Sequence, residues 1–342
     1  MTNPIAHHSS NHGAYWSVLA IASVLLLPAT ACAPPATEET ATKDTATEVG
    51  IEEIPVTTAS DAAREMHDEG LYLLDVGRGV EAREKFQAAI AEDPGFVSAH
   101  FNQSNASLSF KEFQTCLDMA SEHLENVSEG ERMMVEINRT FLTNNTSQGL
   151  ALAQDLVAKY TDSPRAHLTL AAMQTNHNDA AGARASLERA HALDSQSAGA
   201  LFGIAANYLG NEPKDFVKAE EWAAKALAAY PKEAKGHELM GDIKRGQDDL
   251  EAALTSYDNA SETDPTLANA HHKRGHVNSF LGNIEEARAA YDAGVDAAAP
   301  ESKAGLAVYK TFTRIHQGDV PAALDELEAL AGAIEGMGTP AH

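Results

Sequence analysis

From residue 61 onward, small and bulky side chains recur at fixed distances. A small residue is followed twelve positions later by another, and a bulky and then a small residue come four and seven positions after that second one. Gly70, Ala82, Phe86 and Ala89 form one such series, closed by Pro94. Ala171, Ala183, Leu187 and Ala190 form another, as do Gly241, Ala253, Tyr257 and Ala260 before Pro265, and Gly275, Ala287, Tyr291 and Gly294. Within each half, apolar or small residues fall three and four apart, the period of one helix face. Turns carrying Gly77 and Gly79, Gly246 or Gly282 separate the halves. The pattern predicts helix hairpins. Small residues let two backbones approach, a bulky one fills the gap between consecutive hairpins, and proline stands where the second helix cannot continue.

The spacing between hairpins is kept. Ala171 to Ala205 and Gly241 to Gly275 are each 34 residues, and Ala205 to Gly241 is 36, with two extra residues in the polar turn Gly210–Asp215. Gly70 to Ala171 is 101, one short of three periods, so two further units with poor signatures lie between Phe96 and Pro164. Cys116 and Leu152 stand at their small positions, and a partial unit surrounds Gly318, Ala323 and Leu327.

This period and pattern resemble the tetratricopeptide repeat over roughly residues 61–334, nearly the whole of the expected mature chain. The helix-opening position that usually holds Trp in that family is here Met66, His100, His167, Leu201, His237 and His271. The resemblance implies an all-α, right-handed α-solenoid of seven to eight hairpins over 61–335. The units fall near 63–96, 97–130, 131–163, 164–197, 198–233, 234–267, 268–301 and 304–335, with a tail at 336–342. It also implies a concave groove, lined by the first helix of each unit, that holds a segment of a partner protein. By position, Phe101, Asn105, Arg165, Phe202, Lys235, Arg245, His272 and His276 line that groove. Adjacent units do not supply the Lys, Asn and Arg set with which some members grip a terminal carboxylate.

The N-terminus reads differently. An apolar run from Val18 to Leu27 precedes Pro28, Ala29, Thr30, Ala31 and Cys32. About ten apolar residues are too few to span a bilayer core of about 30 Å, so residues 1–31 are expected to be a signal peptide. The segment resembles the lipobox of bacterial lipoproteins, with Ala29 where Leu is usual and no Lys or Arg before Tyr15. That resemblance implies lipid on the Cys32 thiol and a mature chain outside the cytoplasm. Ala33 after the cysteine is similar to the outer-membrane default, the periplasmic side being the expected location, and cleavage near Ala31 to a secreted or periplasmic product is the alternative. Residues 32–60, rich in Thr, Ala, Glu and Pro, are expected to be an acidic, disordered tether.

Charge and composition then narrow the chemistry. Fifty Asp and Glu against 25 Lys and Arg give a net charge of -25, which repels phosphate backbones, so no nucleic-acid partner is expected. With Cys32 in lipid chemistry, Cys116 is a lone thiol, expected buried and inert, and no internal disulfide can form. His272 and His276 lie one helical turn apart and could share a metal ion. No Glu stands between them as in metalloproteases and no third ligand is identifiable, so neither metal nor cofactor is expected. The chain has no nucleophile elbow, P-loop or dinucleotide fingerprint. The expectation is a non-enzymatic scaffold of the bacterial envelope that binds a protein partner and reaches the membrane through its N-terminal lipid. The alternatives are a periplasmic small-ligand carrier, with Phe202 and Phe312 lining its pocket, and an accessory subunit of a transport or enzyme system.

Overall fold

The computed structural model describes residues 53–336, apart from 213 and 299. The signal peptide, Cys32 and most of the expected tether fall outside the described residues. Among those described there are sixteen α-helices in eight consecutive pairs. They are α1 (Asp61–Asp75) with α2 (Gly79–Glu92), α3 (Val97–Asn105) with α4 (Phe110–Ser121), α5 (Glu129–Leu142) with α6 (Thr146–Lys159), and α7 (Pro164–Asn176) with α8 (Ala180–Leu193). The series continues with α9 (Ala198–Gly210) and α10 (Phe216–Ala229), α11 (Ala234–Gly246) and α12 (Leu250–Thr263), α13 (Ala268–Leu281) and α14 (Ile284–Ala297), and α15 (Pro300–His316) and α16 (Val320–Gly336). None of the described helices is long and apolar enough to cross a membrane.

Local chemistry sets the helix boundaries. The side chains of Ser60, Ser109, Ser128, Ser163 and Ser197 each accept a backbone N–H of the helix they precede, as do Asp179, Asp215 and Asp249. Each cap satisfies one donor that the first turn leaves unpaired. In six units the turn between the paired helices places one residue in the left-handed region: Gly77, Asn144, Asn178, Asp248, Gly282 and Gly318, with φ from 51 to 86°. Glycine, asparagine and aspartate are the residues that tolerate it. The sixth unit therefore corrects the expectation for Gly246. Asp248 makes the turn, and Gly246 ends α11, where a Cβ would run into the Phe216 ring.

The small-to-bulky spacing has a direct steric cause. A Cβ on Gly70 would lie 2.6 Å from Cε1 of Phe86, and one on Gly275 2.6 Å from Cε1 of Tyr291, and Gly241 is covered by Tyr257 in the same way. The bulky residue thus lies across the glycine of its own unit, as well as facing the next hairpin. His100, His167 and His271 each place Nε2 2.9–3.0 Å from the carbonyl oxygen six residues earlier, on Pro94, Thr161 and Pro265. The imidazole at the helix-opening position therefore ties α3, α7 and α13 to the loop before each.

Two large apolar clusters form the core. One centres on Val97, Leu117, Val135, Ile137 and Leu156 in α3 to α6, and the other on Leu201, Ile204, Ala223 and Ile243 in α9 to α11. The first contains Ile54, only 8% exposed, from the segment ahead of α1. Residues 53–60 are therefore not free tether. Their apolar side chain and backbone groups find partners on the solenoid, which corrects the C-terminal limit expected for the tether.

Candidate functional site

The array curls far enough for its first unit to meet its fourth, fifth and sixth. Asp75, the last residue of α1, pairs with Arg165 at the start of α7 through two hydrogen bonds of 3.0 and 2.7 Å. Burial pulls the Arg165 guanidinium down, but Asp75, and beyond it Glu53, hold it above its ordinary value. The Tyr72 hydroxyl donates to Glu233 at 2.7 Å, and its ring lies 6.3 Å from that of Tyr230. Burial, with the Glu233 carboxylate beside it, pushes the Tyr72 hydroxyl up to about 12. The positive φ of Gly77 brings that turn against the Lys235 side chain, where a Cβ would meet Cδ at 3.1 Å.

These contacts border a half-open pocket of about 610 Å³ on the inner face of the first five units. Leu71, Phe101, Met134 and Leu168 line it together with Arg64, Asp68, Asp75 and Arg165. One wall is the segment from Glu53 to Val56. Ile54 enters a slot that exists because residue 130 is glycine: a Cβ there would lie 2.5 Å from Cγ2 of Ile54 and 3.0 Å from the Tyr160 ring. Thr57 donates its backbone N–H and its hydroxyl to the two oxygens of Glu131, at 2.9 and 2.7 Å. Ser128 donates to the Pro55 carbonyl at 2.7 Å and Arg64 to that of Val56 at 3.0 Å. Thr58 donates to Asp93 at 2.6 Å, and Ser163 to Glu53 at 3.3 Å. Burial raises the Glu53 carboxyl above the ordinary carboxylate value, against the pull of Arg165 and the Ser163 hydrogen bond.

Glu131 is built for this grip by the sequence around it. It is the third residue of α5 and closes a capping box with Ser128, accepting the Ser128 N–H at 3.0 Å while the Ser128 hydroxyl accepts the Glu131 N–H at 3.1 Å. Ser98 of α3 adds a donor at 2.7 Å, so a 3% exposed carboxylate is held by four donors, two of them from Thr57.

The second half of the inner face carries a different surface. Lys273 of α13 lies between Glu238 and Asp242 of α11, at 2.7 and 2.5 Å, and Lys235 adds a 2.9 Å contact to Glu238. Against the cost of its burial, these two ammonium groups lower the Glu238 carboxyl to about 2. Arg245 donates to Asp242 at 3.3 Å. Beyond this network the His272 ring centroid is 4.5 Å from His276 and 4.2 Å from Tyr309. Burial, together with His276, Lys273 and Arg245, lowers the His272 imidazole to about 4, and burial lowers His276 in the same direction. Phe280 and Phe312 flank the cluster, 63% and 39% exposed. Among the described residues no group of three metal-ligating side chains forms around the two histidines.

The eight groove residues expected from spacing therefore separate. Phe101 and Arg165 meet in the cavity wall, while Lys235, Arg245, His272 and His276 share the second surface. Asn105 is engaged by Asn138 at 2.7 Å. Phe202 is buried in the second core cluster, its ring 6.1 Å from that of Tyr230. Neither Phe101 nor Phe202 is an open anchor. Spacing did not single out Ile54, Thr57, Glu131 or the Tyr72 and Asp75 clasp. The apolar run Ile54-Pro55-Val56 in an otherwise polar stretch, and the Ser-x-x-Glu of the capping box, are the signals that could have found the first three.

Comparison with known proteins adds to this geometry. Residues 241–279, covering half of α11, all of α12 and most of α13, match the family described as TPR repeat. No curated protein matches the chain. Among solved structures, a tetratricopeptide repeat protein from Parabacteroides merdae is similar at 13% identity and a TM-score of 0.47, over 82% of this chain and 95% of its own. PilF from Pseudomonas aeruginosa is similar at 16% identity and a TM-score of 0.47, over 60% of this chain and 92% of its own. MamA from Desulfovibrio magneticus is similar at 17% identity and a TM-score of 0.42, over 49% and 94%.

Proposed function

We propose that this chain of tetratricopeptide-type repeats is a protein-interaction scaffold that grips an extended polypeptide segment along its inner face. The observation that carries the reading is that the inner face already holds one, residues 53–58, through two backbone carbonyls, a backbone N–H and one buried side chain. The surface of α11, α13 and α15 is the part left open to a partner. There Phe280 and Phe312 expose aromatic area beside a fixed network of charges, the combination of apolar anchor and polar rim that interfaces use.

In this reading the scaffold belongs to the bacterial envelope, as a lipoprotein anchored through Cys32 and facing the periplasm. The signal-like segment and lipobox-like residues before Cys32 support that placement. Replacing Cys32 by Ala abolishes incorporation of labelled fatty acid if it is correct, and persistent labelling rejects it. The cavity supports a second reading, a small-ligand carrier. Charged side chains line it, however, and neither Phe202 nor Phe312 is among its walls.

A photo-crosslinking residue placed at Phe312 tests the scaffold reading in native envelopes, with Val217 on α10, 66% exposed, as the control site. Discrete protein adducts at position 312 and none at 217 are expected. Equal labelling at the two positions, or none at 312, rejects it.

A further inference from the structure

The stretch ahead of α1 is held as a ligand is held. Ile54 alone is buried, while Glu53, Pro55, Thr57 and Ala59 remain exposed. Its hydrogen-bond partners come from four places: Asp93 after α2, Ser128 and Glu131 of the α5 capping box, Ser163 before α7, and Arg64 of α1.

The site is complete without its occupant. Glu131 keeps Ser98 and the Ser128 N–H as donors when Thr57 leaves, so no buried carboxylate is stranded. Ser60 caps α1 through its own hydroxyl, a bond in which residues 53–58 take no part, while its N–H donates to the Thr58 hydroxyl at 3.2 Å. Arg64 and Ser163 can return to water or to groups nearby. What the segment fills is a slot of defined chemistry. Gly130 and the Tyr160 ring receive a branched apolar side chain, the Ser128 hydroxyl reads the next carbonyl, and Glu131 demands an N–H and a hydroxyl from the residue three positions after the apolar one.

We propose that the slot formed by the N-terminal ends of α3, α5 and α7 is a peptide-binding site occupied in cis by residues 53–58. It releases them to take, from a partner protein, an extended segment with the same order of a branched apolar residue, proline and a hydroxyl residue. The inference rests on the scaffold reading and assigns its first half-groove a ligand and a competitor. Because the cis segment is joined to α1 by two residues, it competes at an effective concentration of about millimolar or above, and a partner gains the site when that segment is weakened or drawn away.

A fluorescently labelled peptide with the sequence of residues 53–59, titrated against the full chain by anisotropy, tests this. Ile54→Asp empties the slot in cis, and this variant is expected to bind the peptide at least about tenfold more tightly than the wild type. Thr57→Ala should give a smaller gain in the same direction. Adding Gly130→Ala to Ile54→Asp should abolish binding, because the new Cβ occupies the place of the Ile54 branch. An Ile54→Asp chain that keeps its helical circular dichroism but does not bind the peptide overturns the proposal. So does an Ile54→Asp chain that loses its helical signal, since the segment would then be part of the fold. Neither result bears on crosslinking at position 312, on which the scaffold reading is judged separately.

Discussion

The Tyr72 hydroxyl donates to the Glu233 carboxylate at 2.7 Å across 161 residues of chain, and beside it Asp75 clasps Arg165 across 90. Repeat arrays ordinarily contact only their neighbours and have nothing to hold them to one curvature. Here two polar pairs fix the curl of the first five units and so the shape of the cavity. Asp75→Ala leaves the half-buried Arg165 without its bidentate partner and is expected to cost about 1–3 kcal/mol in urea unfolding. Arg165→Leu in the same chain should recover part of that loss, giving a coupling energy in a double-mutant cycle. Additive effects would show that the pair does not hold the two units together.

The glycines beneath the aromatic rings make a second prediction. Gly275→Ala introduces a Cβ 2.6 Å from Cε1 of Tyr291, in a packed site where the ring has no free space to move into. A loss of about 1–3 kcal/mol is expected from overpacking. Gly305→Ala, on the first helix of the last unit, meets nothing within 4 Å and should be neutral or stabilising by the helix propensity of alanine. Thermal melts of the two variants measure the contrast.

These glycines also show why the fold was legible. A ring at one position requires a missing side chain sixteen residues earlier, and this local rule writes itself into the sequence as a period that predicts a series of helix hairpins. The clasp and the strap obey no such rule. Tyr72 and Glu233 meet because small rotations accumulate over five units, and no single residue records that sum. Phe101 and Phe202 hold the positions expected of groove residues, yet their core clusters, with Tyr230 beside Phe202, leave them 5% and 6% exposed. Ile54 was hidden because a single branched residue in a polar segment has no periodicity, and its slot is created by an absence at Gly130.

A third prediction follows from that burial. Phe101→Ala and Phe202→Ala remove rings from two separate core clusters and should each destabilise the fold by about 3–5 kcal/mol. Phe312→Ala, at a 39% exposed position, should cost little and should reduce partner recovery from envelopes. Recovery lost in the first two variants at temperatures where they remain folded, and kept in Phe312→Ala, would move the interaction to the closed half of the molecule.

Stability should fall in two separate steps as the solution is acidified. His272 has an ordinary value of 6.5 that burial, the neighbouring His276 and the cations Lys273 and Arg245 lower to about 4. Between these values the unfolded chain binds more protons than the native one, so stability is full above about pH 6.5 and declines until about pH 4, where both states are protonated. His276, His100 and His237 are lowered in the same direction and add to that step. The second step belongs to Glu238, lowered from 4.5 to about 2 by Lys235 and Lys273 in spite of its burial. Its contribution is full above about pH 4.5 and is lost toward pH 2. His272→Phe keeps a ring against Tyr309 and removes the titration. It should flatten the upper step, retaining about 1–3 kcal/mol at pH 4 that the wild type loses, and leave the lower one in place. Glu238→Gln should do the reverse, at the cost of weaker Lys273 pairing at neutral pH. Urea unfolding at half-unit intervals from pH 7.5 to pH 2.5 separates the two. An unchanged upper step in His272→Phe would show that the other histidines carry it.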